Sequence, residues 1–135
     1  MIVLSNLTAQ TIQPGQAVTF DKGILKSGNC ECFNSQIPTS VRLKSNGIYS
    51  LGFSGNVSSP TANAAMQLAI AVAGQPLVET AMNSTPSAAD ALNNISTETR
   101  FRVCCCDLNR VSVINTGTVP VTLAPNSSFV IERRS

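Results

Sequence analysis

The sequence predicts an all-β domain, an antiparallel β-sandwich, barrel or jelly roll of about ten short strands. In the segment 47–58, Tyr49, Leu51, Phe53 and Val57 fall on one side of an extended chain, and small polar residues and glycine fall on the other. Because side chains alternate between the two faces of a strand, this segment packs one face on a core. Similar runs recur along the chain, separated by Gly, Pro and Asn, and leave no room for the long helices that parallel strands need.

The alternating runs place the strands in order along the chain. Each has apolar residues at every second position or is bounded by turn residues. The predicted strands are Ile2–Leu4, Ala9–Ile12, Ala17–Phe20, Val41–Lys44, Gly47–Ser58, Ala65–Gly74, Leu77–Met82, Ser96–Cys106, Arg110–Asn115, Val119–Leu123 and Ser127–Arg133.

Turn residues predict where the strands reverse. Pro14-Gly15 marks a turn. Ser45-Asn46-Gly47 lies between two alternating runs and predicts a hairpin, because Asn-Gly favours a tight two-residue turn. Ala73–Pro76 and Asn115–Thr118 predict further reversals.

The segment 62–73 has two interpretations. Its alanines have high helix propensity. Yet Met66, Leu68 and Ile70 alternate with smaller or polar residues, and Gly74 follows shortly after. The period of two favours a strand.

Composition limits the classes of protein that this chain can belong to. With 135 residues it fits a single domain, 1–135, and 43% hydrophobic residues argue against intrinsic disorder. Its net charge of +2 is scattered, without the basic stripe of a nucleic-acid-binding protein. No apolar run approaches the ~20 residues of a membrane span. No secretion signal is visible, so we expect folding in a reducing cytoplasm.

Five cysteines leave three alternatives open. Cys30 and Cys32 flank Glu31, and Cys104, Cys105 and Cys106 are consecutive. Free cysteine often acts as a small buried hydrophobe, and Cys105 continues the alternation of the strand before it. Zinc binding by two pairs is the second alternative, although structural zinc prefers two to four residues between paired ligands. Disulfides are the third, opposed by a reducing compartment.

No catalytic constellation emerges from the residue types. The chain has no histidine, which excludes a Ser-His-Asp triad and a thiol–imidazole pair. Its seven acidic residues are far apart in sequence and show no metal-ligand spacing. Folding can bring two carboxylates together, so a carboxylate-pair hydrolase stays as an alternative. We expect no enzyme activity, no cofactor and no metal.

Two strands carry unusually small side chains on one face. Gly52 and Ser54 lie on one of them, and Ala69 and Ala71 on the other. Such faces are either ordinary hydrated surface or places where another subunit approaches closely, since low charge permits close packing.

The strand motifs resemble the C1q/TNF-like domains. The run Gly47–Gly55 is similar to their Gly-x-Tyr-x-(apolar)-x-(aromatic) strand. Arg110–Gly117 followed by Val119–Leu123 resembles the Asn-x-Gly hairpin region of bacterial members, and Ser128–Arg133 resembles their last strand. Those members include small phage and prophage proteins and the C-terminal domains of collagen-like spore-surface glycoproteins.

The resemblance implies a ten-stranded jelly roll that assembles into a homotrimer and has a binding or structural role. It implies apolar contacts near the trimer axis from the strands that carry Tyr49, Phe53, Phe101 and Phe129. The alternative for each aromatic ring is burial inside its own protomer. The N-terminal segment 1–16 is a strand or arm that we expect to serve in attachment or trimer contacts.

We therefore expect a structural virion protein of a bacteriophage, a homotrimeric capsid decoration protein or a short head-fibre or fibre-tip protein. It would fold in the host cytoplasm, be released by lysis and contact other virion proteins. The alternative is a free-standing C1q/TNF-like binding module on a bacterial or spore surface. We expect the polar loop Pro86–Asn94, with one helical turn at Ala88–Leu92, to be a candidate contact for surface glycans.

Overall fold

The protein is a sandwich of two antiparallel sheets. The computed structural model describes residues 2–26, 31–33, 38–43, 47–103 and 110–134, with only the backbone described for 22–26 and 31–33. The strands are β1 Ile2–Ser5, β2 Gln10–Ile12, β3 Lys22–Lys26, β4 Glu31–Phe33, β5 Val41–Leu43, β6 Gly47–Ser58, β7 Met66–Val72, β8 Gln75–Pro76, β9 Met82–Ser84, β10 Asn93–Val103, β11 Arg110–Asn115, β12 Val121–Leu123 and β13 Ser128–Arg133.

The larger sheet is organised around β6. β10 pairs with β6 over its whole length, from Asn93 opposite Val57 to Val103 opposite Gly47. The other edge of β6 is therefore shared by β13 and β12, one after the other. The sheet continues through β1 to β3 on one side and through β12 to β2 on the other.

The smaller sheet has the order β4-β5-β11-β7-β8, with β9 also paired to β7. The inner faces of the two sheets enclose one core. Phe129 lies near its centre, stacked on Phe20 at 5.5 Å between ring centroids and edge-on to Phe53 at 6.3 Å. Val111 and Val113 face this core from β11 of the smaller sheet.

Two buried asparagines hold the chain where strands end. Asn6 donates from Nδ2 to the carbonyls of Thr8 and Ala124 at 2.9 and 3.0 Å, and its Oδ1 accepts the backbone N–H and the hydroxyl of Ser127. Asn115 has a similar role at the end of β11, where its Nδ2 donates to two carbonyls and its Oδ1 accepts from Gly117 at 2.9 Å. Both side chains are buried, and each satisfies its own polar atoms by bonding backbone groups outside the strand ladders.

Most predicted strands are present, and the segment 62–73 contains β7, with Met66, Leu68 and Ile70 buried. The predicted turn at Pro14-Gly15 is present, with Gly15 at a φ of 84°. At the predicted reversal after β7, Ala73 and Gly74 join β7 to β8. β3 and β4 were not predicted, because no alternating pattern marks them.

The predicted strand Leu77–Met82 is wrong. Its centre is a 3₁₀ turn, Val78–Thr80, and β9 begins only at Met82. The buried hydroxyl of Thr80 donates to the Leu77 carbonyl at 2.7 Å and accepts the Ile70 N–H at 2.9 Å. These two bonds close a local turn against β7 instead of extending the chain.

Three other local predictions need correction. The Asn46-Gly47 signal predicts a hairpin, yet β5 and β6 belong to different sheets; residues 44–46 lie outside the described residues. Of the predicted strand Ala17–Phe20, Ala17 alone makes a strand bridge. The predicted helical turn Ala88–Leu92 is instead a non-helical turn, since Asp90 has a φ of 59°.

The cysteine alternatives stay open. Cys30 and Cys104–Cys106 lie outside the described residues, and of Cys32 only the backbone in β4 is described. No helix in the described part of the chain is long and apolar enough to span a membrane.

Candidate functional site: the outer face of the larger sheet

The outer face of β6 carries side chains too small to fill the surface above it. The odd-numbered residues Tyr49, Leu51 and Phe53 are buried in the core, so the even-numbered Gly52 and Ser54 point the other way. A Cβ built on Gly52 would have one neighbour within 4 Å, the carbonyl oxygen of Thr97 at 3.8 Å. Nothing from the protomer's own described side chains therefore covers the backbone here.

Strand register sets which residues flank this small centre. Gly52 is opposite Glu98 of β10 on one side and Val130 of β13 on the other. Val130 is in turn opposite Val3 of β1. We call the row of residues across the middle of the face, Glu98, Gly52, Val130 and Val3, its waist. The waist has one exposed carboxylate, an uncovered backbone at Gly52 and two half-buried valines.

On one side of the waist the face is polar and uncharged. Ser54 lies opposite Ser96 of β10 and Ser128 of β13. Farther along, Asn94 donates to the side-chain oxygen of Asn56 at 3.2 Å. Short hydroxyl and amide groups of this kind cost less to remove from water than charges do.

On the other side the face is charged. Ser50 lies between Arg100 of β10 and Glu132 of β13. Arg134 donates from Nη1 to Glu132 Oε1 at 2.8 Å, and both side chains are partly exposed to solvent. An exposed pair of this kind contributes little to stability.

Together these residues enclose a concavity of about 500 Å³ on the sheet surface. It is lined by Ser50, Gly52, Phe53, Ser54, Ser96, Thr97, Glu98, Ser128, Val130, Glu132 and Arg134. The depression follows from the row of glycine and serines along β6, between strands with longer side chains.

The described residues of this face do not form a catalytic carboxylate pair or a metal site. Glu98 and Glu132 lie on opposite sides of β6 and two residues out of register, which puts their Cα atoms about 12 Å apart. Glu132 is already paired with Arg134. This geometry gives no support to the carboxylate-pair hydrolase. Among the described residues no group of three or more potential metal-ligand side chains comes together.

The side chains of the four aromatic residues predicted at the trimer interface are on the core side of their strands, although Phe53 also borders the concavity. Tyr49, Phe53 and Phe129 are at most 1% exposed and belong to the protomer core. For these three rings the structure shows burial inside the protomer, the alternative that the sequence left open. That the strands carrying them contribute to a trimer interface stays a prediction. Phe101 is half-buried, with its ring 6.3 Å from that of Tyr49, and stays a candidate.

The two strands predicted to carry small side chains on one face differ in exposure. Gly52 and Ser54 line the concavity, but Ala69 and Ala71 are buried within the protomer. Val130 and Glu98 were not predicted at this face. The alternation of β13 and β10 could have predicted both, because each residue is next to one on the core side of its strand and must therefore point outward.

Solved structures of other proteins are similar to this one over nearly the whole chain. The structure of Eiger TNF from S. frugiperda matches with a TM-score of 0.76 at 11% identity, covering 99% of this chain and 91% of that chain. Murine APRIL at pH 5.0 matches with a TM-score of 0.65 at 18% identity over 97% and 98%, and murine APRIL at pH 8.0 with 0.63 at 13% over 98% and 97%.

No protein-family model and no curated sequence matches the chain. Identities this low carry the fold alone. Two antiparallel sheets in this topology, superposable over nearly the whole chain, give the protein a C1q/TNF-like jelly-roll fold.

Proposed function

We propose that the protein is a non-catalytic homotrimer and a structural component of a bacteriophage virion. Its role would be that of a capsid decoration protein or a short head-fibre or fibre-tip protein. The observation that carries the assembly is the concave outer face of the larger sheet, where Gly52 and its serine neighbours leave the backbone open to close approach.

This face suits a protein contact for energetic reasons. The cores of protein interfaces are depleted of charge, because desolvating a charge is costly. Here the neutral half and the two valines of the waist are uncharged. Arg134 and Glu132 lie toward one end, and Glu98 is the charged group beside Gly52. A second subunit would bury valine and backbone surface without first removing long side chains.

A ring of three subunits uses two different surfaces of each protomer, since contacts in a cyclic trimer are head-to-tail. The concave face would be one of them. Phe101, half-buried on the edge strand β10, is a candidate for the other. The concave face and Phe101 both lie in the described part of the chain, so each can be tested by substitution.

The virion assignment rests on sequence resemblance to small phage and prophage proteins. A trimer would present three copies of any attachment surface, and linked weak contacts give strong overall binding. The N-terminal segment stays a proposed attachment element, although β1 is an inner strand of the larger sheet and not a free arm.

Native mass tests the assembly first. A trimer has three times the protomer mass of 14.2 kDa, and packing alone should maintain it with or without a thiol reductant. A monomer at micromolar concentration would refute the trimer. The protein should also co-purify with phage particles, and particles that lack it would refute the virion role.

A free-standing binding module on a bacterial or spore surface is the second candidate. One feature favours it: the loop before β10 is fixed, with Asn63 N–H bonded to the Pro86 carbonyl and Asp90 N–H to the Ser59 carbonyl, both at 2.7 Å. Leu92 is 63% exposed at the end of this loop, a position suited to a surface glycan or protein partner. Detection of the protein on cells, and not on particles, would select this role.

A further inference from the structure

Two arginines face each other on the outer side of the smaller sheet. Arg42 of β5 and Arg110 of β11 are directly opposite in the antiparallel register, beside the pair Val41 and Val111. Both valines are fully buried, so both arginines point away from the core. Side chains in directly opposed positions have Cβ atoms about 5 Å apart.

The pair lacks a neutralising partner in the part of the chain that the structure describes. Arg110 donates from Nη1 to the hydroxyl of Ser40 at 3.1 Å, which is a neutral acceptor. The described ion pair is at Glu132–Arg134, on the other sheet. Like charges directly opposite each other destabilise a sheet, so the fold keeps an unfavourable pair here.

The surroundings leave the two guanidinium groups accessible. Arg42 is exposed and Arg110 half-buried. The Arg110 carbonyl accepts the N–H of Ala73, whose side chain is a single methyl group, and Ser112 follows on the same face of β11.

We propose that Arg42 and Arg110, with the Ser40 hydroxyl, bind a tetrahedral oxyanion, a phosphate or sulfate group carried by a surface polymer. Each guanidinium presents a planar set of N–H donors that matches two oxygens of such a group. An anion between the two forks replaces their mutual repulsion with two charge-assisted contacts. The serine hydroxyl supplies a further donor.

This site is independent of the proposed trimer. It lies on the smaller sheet, and the outward faces of the two sheets of a sandwich point in opposite directions. Three such sites on one trimer would raise the affinity for a polymer with repeated anionic groups.

Thermal unfolding in sodium phosphate, sodium sulfate and sodium chloride of equal ionic strength tests the proposal. Phosphate and sulfate stabilise folded proteins in general, so binding is shown by a shift, relative to chloride, that is larger in the wild-type protein than in Arg42→Gln. In Arg42→Gln, the anion concentration that gives half of this shift should rise about tenfold or more, as expected for one lost charge-assisted contact. Arg110→Gln should weaken anion binding as well. Because Arg110→Gln also loses the hydrogen bond to Ser40, it can harm folding; Arg42→Gln does not remove that bond and keeps the test valid.

Arg102→Gln is the matched control, because Arg102 is an exposed arginine on a strand of the other sheet. It should bind both anions as the wild type does. A wild-type shift no larger than that of Arg42→Gln, or an equal loss in Arg102→Gln, would overturn the proposal. Binding of polyphosphate and of dextran sulfate then distinguishes phosphate from sulfate as the anion. If Arg42→Gln bound both polymers as strongly as the wild type does, the proposal would also be overturned.

Discussion

Gly52 provides a direct test of the proposed subunit contact, because a side chain there reaches outward and not into the protomer. A Cβ at this position would be 3.8 Å from the nearest backbone atom, which is ordinary van der Waals contact. Gly52→Val should therefore fold. It should also favour the extended chain of β6, since glycine weakens a strand by up to ~1 kcal/mol compared with a β-branched residue.

In the trimer the same valine would occupy the floor of the concavity. Inserting a branched side chain into a packed contact costs about 1–3 kcal/mol, and a cyclic trimer has the contact three times. The concentration for half assembly scales with the square root of the trimer dissociation constant. It should therefore rise about 10- to 1,000-fold.

Native mass measured over a dilution series, together with denaturant unfolding of each variant, separates assembly from folding. Gly55→Val is the matched control on the same strand. A Cβ there would be 3.0 Å from Leu123 Cδ1 and 3.1 Å from Ser127 Cβ, inside the protomer. We expect Gly55→Val to lower the free energy of unfolding, and Gly52→Val to lower assembly alone.

A Gly52→Val protein that stays trimeric to the same dilution as the wild type would refute the contact on this face. It would leave the fold untouched and move the subunit interface elsewhere. A Gly52→Val protein that fails to fold would contradict the open geometry above β6.

Three further predictions concern the protomer and are checked by denaturant unfolding. Asn6→Ala should cost about 2–4 kcal/mol, because it leaves the buried Ser127 N–H and the part-buried carbonyls of Thr8 and Ala124 without their partner; a loss below about 1 kcal/mol would contradict this role. Ala73→Asn should stabilise by about 0.5–1 kcal/mol, since Ala73 has a φ of 52° beside Gly74 in a two-residue turn that favours Asn-Gly; no gain would show that the turn does not limit stability. Phe129→Ala should cost about 3–5 kcal/mol, because its fully buried ring touches two other aromatic rings, and a small loss with an altered native mass would restore this ring to the subunit interface.

Alternation identified the strands that form the centre of the fold. β6, β11 and β13 were predicted because one face of each is buried, and burial on one face imposes a period of two on the sequence. β7 shows the same period because large apolar residues alternate with smaller ones, although Ala69 and Ala71 are buried as well. β4 escaped prediction, since its sequence Glu31-Cys32-Phe33 shows no clear apolar alternation.

Local signals did not decide which sheet a strand joins. The Asn46-Gly47 dipeptide favours a tight turn, yet β5 and β6 belong to opposite layers of the sandwich. A turn signal describes the backbone over four residues. Sheet membership depends on pairing with strands far away in sequence, such as β11 with β5 and β10 with β6.

The sequence by itself determined the fold class, the one-sided burial of β6 and the small outer face that carries Gly52. It could not decide what covers the aromatic face of the same strand. Burial against the opposite sheet and burial against another subunit both remove a ring from water, so both select the same residues at Tyr49 and Phe53. Only the tertiary structure assigned these rings to the protomer core, because it alone brings the second sheet over them.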